Sequence, residues 1–272
     1  MKKVCILLLV FLPVLLFSQG SKWQRSAPTE VPLQLFNSTK AFALPTAETQ
    51  SAGDFYFNIT HRFVLPVSEG IGEVWGVDGS VIMRIALGYT ITDDLMAVIG
   101  RSNREGNIDL QLKYKVYTND NDVAPFSIAL MGAGAYNGKP PENIDDEFQF
   151  YGFAIFNTML FDKLGIGLTP GFLYNSYINC DCNENSVTMG AYAQYYFDDM
   201  WSVGVEANPT LTGWRRYYDS YTLGVEIETG GHFFKISLGN NIMSNLSQYM
   251  AGAADAFDSG DLHLGFQIQR TL

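Results

Sequence analysis

From Gly53 to the C-terminus apolar and polar residues alternate in runs of about ten to fourteen, separated by turn-forming clusters. Phe55, Phe57, Ile59 and Phe63 share one face, with Asp54, Tyr56, Asn58, Thr60 and Arg62 opposite. Val81, Met83, Ile85, Leu87, Tyr89 and Ile91 oppose Ser80, Ile82, Arg84, Ala86, Gly88 and Thr90; Leu95, Ala97 and Ile99 oppose Met96, Val98, Gly100 and Ser102. Ile108, Leu110, Leu112, Tyr114 and Val116 lie against Asp109, Gln111, Lys113, Lys115 and Tyr117. A period of two is the mark of a strand, because successive side chains point to opposite faces. The stretches 125–136, 147–161 and 164–178 alternate less cleanly, and both faces of 147–161 carry Phe and Tyr. Alternation returns in Val187 to Phe197, in Trp201 to Asn208 and in Tyr221 to Glu228. After Thr229-Gly230-Gly231, a tight hairpin turn, it continues in Phe234 to Ile242 and then in Asp261 to Gln269.

The runs number about twelve, an even count as bacterial single-chain barrels have. Their connections alternate in length. Those at 92–94, 118–124, 162–163, 198–200 and 229–231 are mostly short. Those at 65–79, 137–146, 179–185, 212–218 and 243–259 include longer stretches, with Arg104 to Asn107 a short one among them. No run after the N-terminus is long enough to cross a bilayer as a helix, which takes about 20 apolar residues. In hydrocarbon an unpaired backbone N–H or C=O costs several kcal/mol, so a lipid-embedded sheet must close on itself. The pattern therefore predicts an all-β fold, a transmembrane antiparallel up-and-down β-barrel over 53–272. Short turns face the periplasm, long loops face outward, and both termini are periplasmic.

The first eighteen residues read as an export signal: basic Lys2 and Lys3, an apolar run from Val4 to Phe17, and Ser18 before Gln19. Fourteen apolar residues broken by Pro13 are short for an anchor. Residues 19–52 hold Pro28, Pro32 and Pro45 without a sustained period, and predict an irregular segment that is periplasmic or a plug. The aromatic share is 14% and the charged share 17%, as an exterior in lipid requires. Net charge is −11, and loss of the two signal lysines makes it −13, which excludes a nucleic-acid partner. After the signal the cysteines are Cys180 and Cys182. Export favours a disulfide between them, a one-residue spacing makes it tight, and both outcomes stay open.

Several phrases resemble known sequences. Gly88-Tyr89-Thr90-Ile91-Thr92-Asp93-Asp94-Leu95 is similar to the strand-turn-strand phrase of outer-membrane barrels. Phe36-Asn37-Ser38-Thr39, His61-Arg62-Phe63, Gly76-Val77-Asp78-Gly79 and Gly100-Arg101-Ser102 together resemble an uncharacterised Gram-negative outer-membrane β-barrel family, porin-like and of unknown function. That resemblance covers roughly residues 36–115. It implies the barrel fold and an outer-membrane location, and brings no activity with it. The last strand is similar to the signal read by the barrel insertion machinery, but ends in Leu272 where an aromatic is usual.

Candidate chemistry is sparse. His61, His232 and His263 form no metal motif, and neither a Gly-x-Ser-x-Gly elbow nor a phosphate-cradling loop is present. No metal or cofactor is expected. Ser237 and His263 share the polar face and leave a Ser–His pair open. The inward face is more informative. It carries Arg62, Arg84, Lys113, Lys115, Glu206, Glu226, Glu228, Lys235 and Asp261 as lumen-lining candidates. Because the first and last strands of a closed barrel are neighbours, Arg62 is expected near Asp261. These charges either pair with one another and fill the lumen or line a narrow passage that selects solutes. The residues therefore allow three functions: a small porin-like channel or transporter for small solutes, a sealed structural or docking barrel in an envelope complex, and, third, a lipid-modifying enzyme. The expected surroundings are outer-membrane lipid and the insertion machinery.

Overall fold

The computed structural model describes residues 33–121, 123–139, 147–179 and 182–272. Residues 34–272 form one compact unit. The expected signal at 1–18, residues 19–32 and Cys180 lie outside the described residues.

The described chain folds into β1 (Phe55–Phe63), β2 (Val81–Thr92), β3 (Leu95–Ser102), β4 (Asn107–Asn119), β5 (Phe126–Asn137), β6 (Phe148–Leu160), β7 (Leu164–Tyr174), β8 (Asn185–Tyr196), β9 (Trp201–Asn208), β10 (Thr210–Gly213), β11 (Ser220–Glu228), β12 (His232–Gly239) and β13 (His263–Thr271). A short helix α1 (Leu246–Met250) lies between β12 and β13. β10 prolongs β9 past Pro209, and both pair with β8. Proline has no N–H to give the ladder, so the strand is interrupted there. The wall is thus twelve antiparallel strands with one short extension. It closes where β13 meets β1, from Tyr56↔Thr271 to Arg62↔Gly265, and β8 pairs with β9, so each of the twelve wall strands has a neighbour on both sides. No edge is left open to lipid.

The alternation decides which side faces in. Leu87, Leu110 and Val205, 56%, 55% and 57% exposed, point outward, while Asn58, Thr90 and Gln269 are wholly buried inside. A greasy exterior around a polar interior is the arrangement lipid demands. Two details depart from the simple period. A bulge between Lys115 and Tyr117 in β4 turns Tyr117 to the exterior, where it is 54% exposed. β7 stops at Tyr174 and not at Ile178, because Asn175 takes a left-handed conformation (φ 56°) and ends the strand.

Two segments occupy the interior. Residues 34–49 enter at the short-turn end, where Ala52 N–H donates to the Asp93 carboxylate of the β2–β3 turn (2.8 Å). They fold into a small hairpin, with Ala41 N–H on Leu44 O (2.9 Å) and Thr46 N–H on Thr39 O (3.1 Å). Leu35, Phe36, Leu44 and Ala47 are almost fully buried. From the long-loop end the β12–β13 connection folds inward, and every residue of α1 is buried.

Candidate functional site

Glu206 projects inward from β9 to meet both interior segments. Its carboxylate accepts the backbone N–H groups of Phe42 (3.1 Å), Ala43 (3.0 Å) and Leu44 (2.9 Å). Three successive amides turned to one side form a concavity that binds an anion. The Tyr249 hydroxyl of α1 donates to the other oxygen (2.8 Å). A buried carboxylate is tolerable only when its lone pairs are taken, and here four donors take them.

The cations do the reverse work. Lys235 of β12 donates to Ser38 Oγ (2.6 Å), to the carbonyls of Lys40 (2.6 Å) and Ala41, and pairs with Glu226 of β11 (2.6 Å). Ser38 Oγ passes a bond on to Glu226 (3.2 Å). Lys113 of β4 donates to the carbonyls of Thr39 (3.1 Å) and Thr46 (3.0 Å). Lys115 reaches Glu48 of the inner segment (3.6 Å). Glu48 in turn accepts Leu35 N–H (2.9 Å), and Asn157 Oδ1 accepts Ala47 N–H (2.6 Å). The backbone of an irregular segment has no strand partners of its own, and buried peptide groups must be satisfied. Here the wall satisfies them.

Apolar fit completes the seat. The Phe42 ring lies against the inward faces of Gly204 and Gly224, where an added Cβ would come within 2.9 and 2.5 Å of it. Lys235 Nζ stands 5.8 Å from the centre of that ring, within cation–π range. Phe36 meets Tyr192 edge-on at 5.3 Å. Between hairpin and wall a cavity of about 20 Å³ is bounded by Lys40, Pro45, Tyr56, Arg84, Lys113 and Leu246; it has room for about one water molecule.

Of the charges expected on the inward face, Arg62, Arg84, Lys113, Glu206, Glu226 and Lys235 are buried in the lumen. Arg84 pairs with Asp109 (2.6 Å), which also accepts from Gln111 and Tyr151. Glu228 stands at the rim, capping the hairpin turn by accepting Gly231 N–H (2.8 Å). Asp261 also stands at the rim, accepting from Ser68 (2.9 Å). The expected approach of Arg62 to Asp261 does not occur. Register sets Gly265 opposite Arg62, and Asp261 comes four residues earlier, before β13 begins at His263. Arg62 bonds Ser237 instead (2.7 Å). Ser237 and His263 are diagonal neighbours across β12 and β13, but His263 Nε2 is held to Asp255 (3.2 Å), and the two make no pair. Cys182 is disulfide-bonded. Among the described residues no three metal-binding side chains gather.

Lys40, Glu48, Asn157, Tyr192 and Tyr249 do not stand out in the sequence as lumen residues. A signal existed: Leu35, Phe36, Phe42 and Leu44 stand in a stretch without period, and apolar residues that no strand explains need a place to be buried.

No curated protein matches the chain. Solved structures match by shape. A KdgM porin in complex with disordered oligogalacturonate has a TM-score of 0.50 at 8% identity, covering 80% of this chain and 99% of that one. An outer membrane channel from Pseudomonas putida F1 has 0.46 at 14%, covering 83% and 98%. Outer membrane phospholipase A from Escherichia coli has 0.45 at 11%, covering 87% and 95%. At such identities the likeness is one of fold. The sequence model of the membrane bound beta barrel domain (DUF5777) matches residues 36–272, all but the first two residues of the compact unit, and the chain belongs to that family.

Proposed function

We propose that this protein is an outer-membrane channel for small solutes, held shut by its own N-terminal segment. The short turns face the periplasm, and no enzymatic step is assigned. One observation carries the reading: the buried charges of Glu206, Lys113 and Lys235 are satisfied by the backbone of residues 38–46, which joins no wall strand. A segment outside the strand ladder can leave without breaking the barrel. Its departure exposes a passage lined by Arg62, Lys113, Lys235, Glu206 and Glu226, whose charges then face solute.

Planar-bilayer recording tests this. The full chain should stay closed, and a variant lacking residues 34–49 should conduct. A second reading, the sealed docking barrel, draws on α1, which fills the lumen from the other end. A folded deletion variant that carries no current would favour the sealed barrel and end the channel reading.

A further inference from the structure

Between the two rims the wall strands turn five cations into the lumen, Arg62, Arg84, Lys113, Lys115 and Lys235, against three carboxylates, Asp109, Glu206 and Glu226. Opening divides these charges into two groups. Arg84 with Asp109 and Lys235 with Glu226 are pairs between wall strands, and they stay when the hairpin goes. Lys113 and Lys115 of β4 have their partners on the inner segment: the carbonyls of Thr39 and Thr46 for the first, the Glu48 carboxylate for the second. Glu206 likewise gives up the amides of Phe42, Ala43 and Leu44. The departing segment takes Lys40 and Glu48 with it, one charge of each sign. The wall therefore keeps its excess of cations.

On the strands beside β4 no carboxylate replaces the lost partners. The register neighbours of Lys113 are Met96 and Met131, and that of Lys115 on β5 is Ala129. Asp94 O accepts the Lys115 N–H (2.8 Å), but Asp94 is an exposed turn residue, and an ion pair in water is worth little. The two lysines stand two residues apart on one face, about 7 Å along the strand. Arg62 is buried and bonds Ser237, and its Nε–H has no partner among the described residues. Even a bond from Arg62 to the freed Glu206 would leave Lys113 and Lys115 over. The chain as a whole is acidic, with net charge −11, but its other described carboxylates stand in turns, loops and rims. Asp93, Asp94 and Glu228 lie at the short-turn end; Asp219, Asp261 and Asp255, which holds His263, lie at the other. Salt screens such exposed charges within about 10 Å, whereas a charge in the narrow middle meets every solute.

We infer that the open passage selects anions, and that Lys113 and Lys115 form the site where a small carboxylate or phosphate is held on its way through. The inference rests on the channel reading and names its class of solute. Inward Lys and Arg side chains at a constriction favour anions over cations, and an ammonium group offers N–H donors with no acceptor of its own. A lumen that only had to be filled could use apolar side chains at no loss of stability. Here two wall lysines are satisfied by a segment outside the strand ladder, and their N–H groups pass to whatever replaces it.

The test records the variant lacking residues 34–49 in planar bilayers under a gradient of potassium chloride, with folding checked by unheated electrophoretic mobility. The reversal potential should have the sign of chloride preference. Inorganic phosphate should reduce the chloride current, less so as ionic strength rises. Lys113→Gln with Lys115→Gln should bring the reversal potential close to zero and abolish the phosphate effect. Lys113→Glu with Lys115→Glu should reverse its sign, and the glutamine pair keeps the experiment readable if the glutamate pair does not fold. A preference for potassium, a chloride preference unmoved by the glutamine pair, or a current indifferent to phosphate would overturn the inference and leave the channel reading standing. A folded deletion variant without current would end both.

Discussion

Replacing Glu206 by alanine removes the acceptor of three backbone amides at once. Each buried donor left unmade costs about 1–3 kcal/mol, and together they exceed what a hairpin of this size can lose while staying seated. The expected outcome is hydrogen exchange at Phe42, Ala43 and Leu44 faster by about a hundredfold or more, with the wall strands still protected. Unchanged protection would mean that the apolar contacts hold the segment. Arg84 makes a contrast. Its pair with Asp109 belongs to the wall, on β2 and β4. Arg84→Ala leaves the buried Asp109 carboxylate without its cation, with only the Gln111 and Tyr151 hydrogen bonds remaining; this is expected to cost roughly 3–5 kcal/mol and to be read as a lower urea midpoint, whereas the double replacement Arg84→Met with Asp109→Leu should recover most of that loss. Glu206 and Arg84 were both visible in the sequence as inward residues of alternating strands. Their partners were not equally visible. Nothing in the spacing between positions 42 and 206 says that the amides of one would meet the carboxylate of the other.

At the scale of elements, strands and inner segments obey different rules. A strand wall is specified by period: a slip of one residue would turn every lipid-facing side chain inward, so register is legible from the pattern of Phe, Ile, Leu and Val. The hairpin at 38–46 has no period, and its shape depends on the groups it lands on. Gly224→Leu tests that dependence from the wall side. A side chain there enters the space of the Phe42 ring and also crowds Ile236 O of β12, 2.6 Å from the added Cβ, so the hairpin should be displaced and β11 should shift locally against β12 while the closed ladder persists. Protease cleavage within residues 34–49 should then become fast in the variant and stay slow in the parent, with the barrel core intact in both. If the segment stays protected, Phe42 has another seat and its fit against Gly224 is not decisive. The bulge that turns Tyr117 outward, and the left-handed Asn175 that ends β7, belong to the same class. Each is a local event that a strict two-residue rhythm does not contain.

For the whole molecule, closure and an apolar exterior make one prediction. The protein should fractionate with the outer membrane, stay soluble only with detergent, and run faster on an unheated gel than a heated one, because a closed barrel resists unfolding while its ladder has no edge. A monomer that dissolves in buffer alone would contradict the arrangement.

The sequence by itself determined the wall. The count of strands, the alternation of short and long connections, the direction in which Arg62, Arg84, Lys113 and Glu206 point, and the need to close all follow from a period of two and the cost of unpaired backbone in lipid. Tertiary structure alone decided what fills that wall. Whether inward charges face water, one another or a folded-in segment depends on distances between residues far apart in the chain, such as Ser38 and Lys235 or Tyr249 and Glu206. A local pattern reports the face on which a side chain stands; it does not report what will come to meet it.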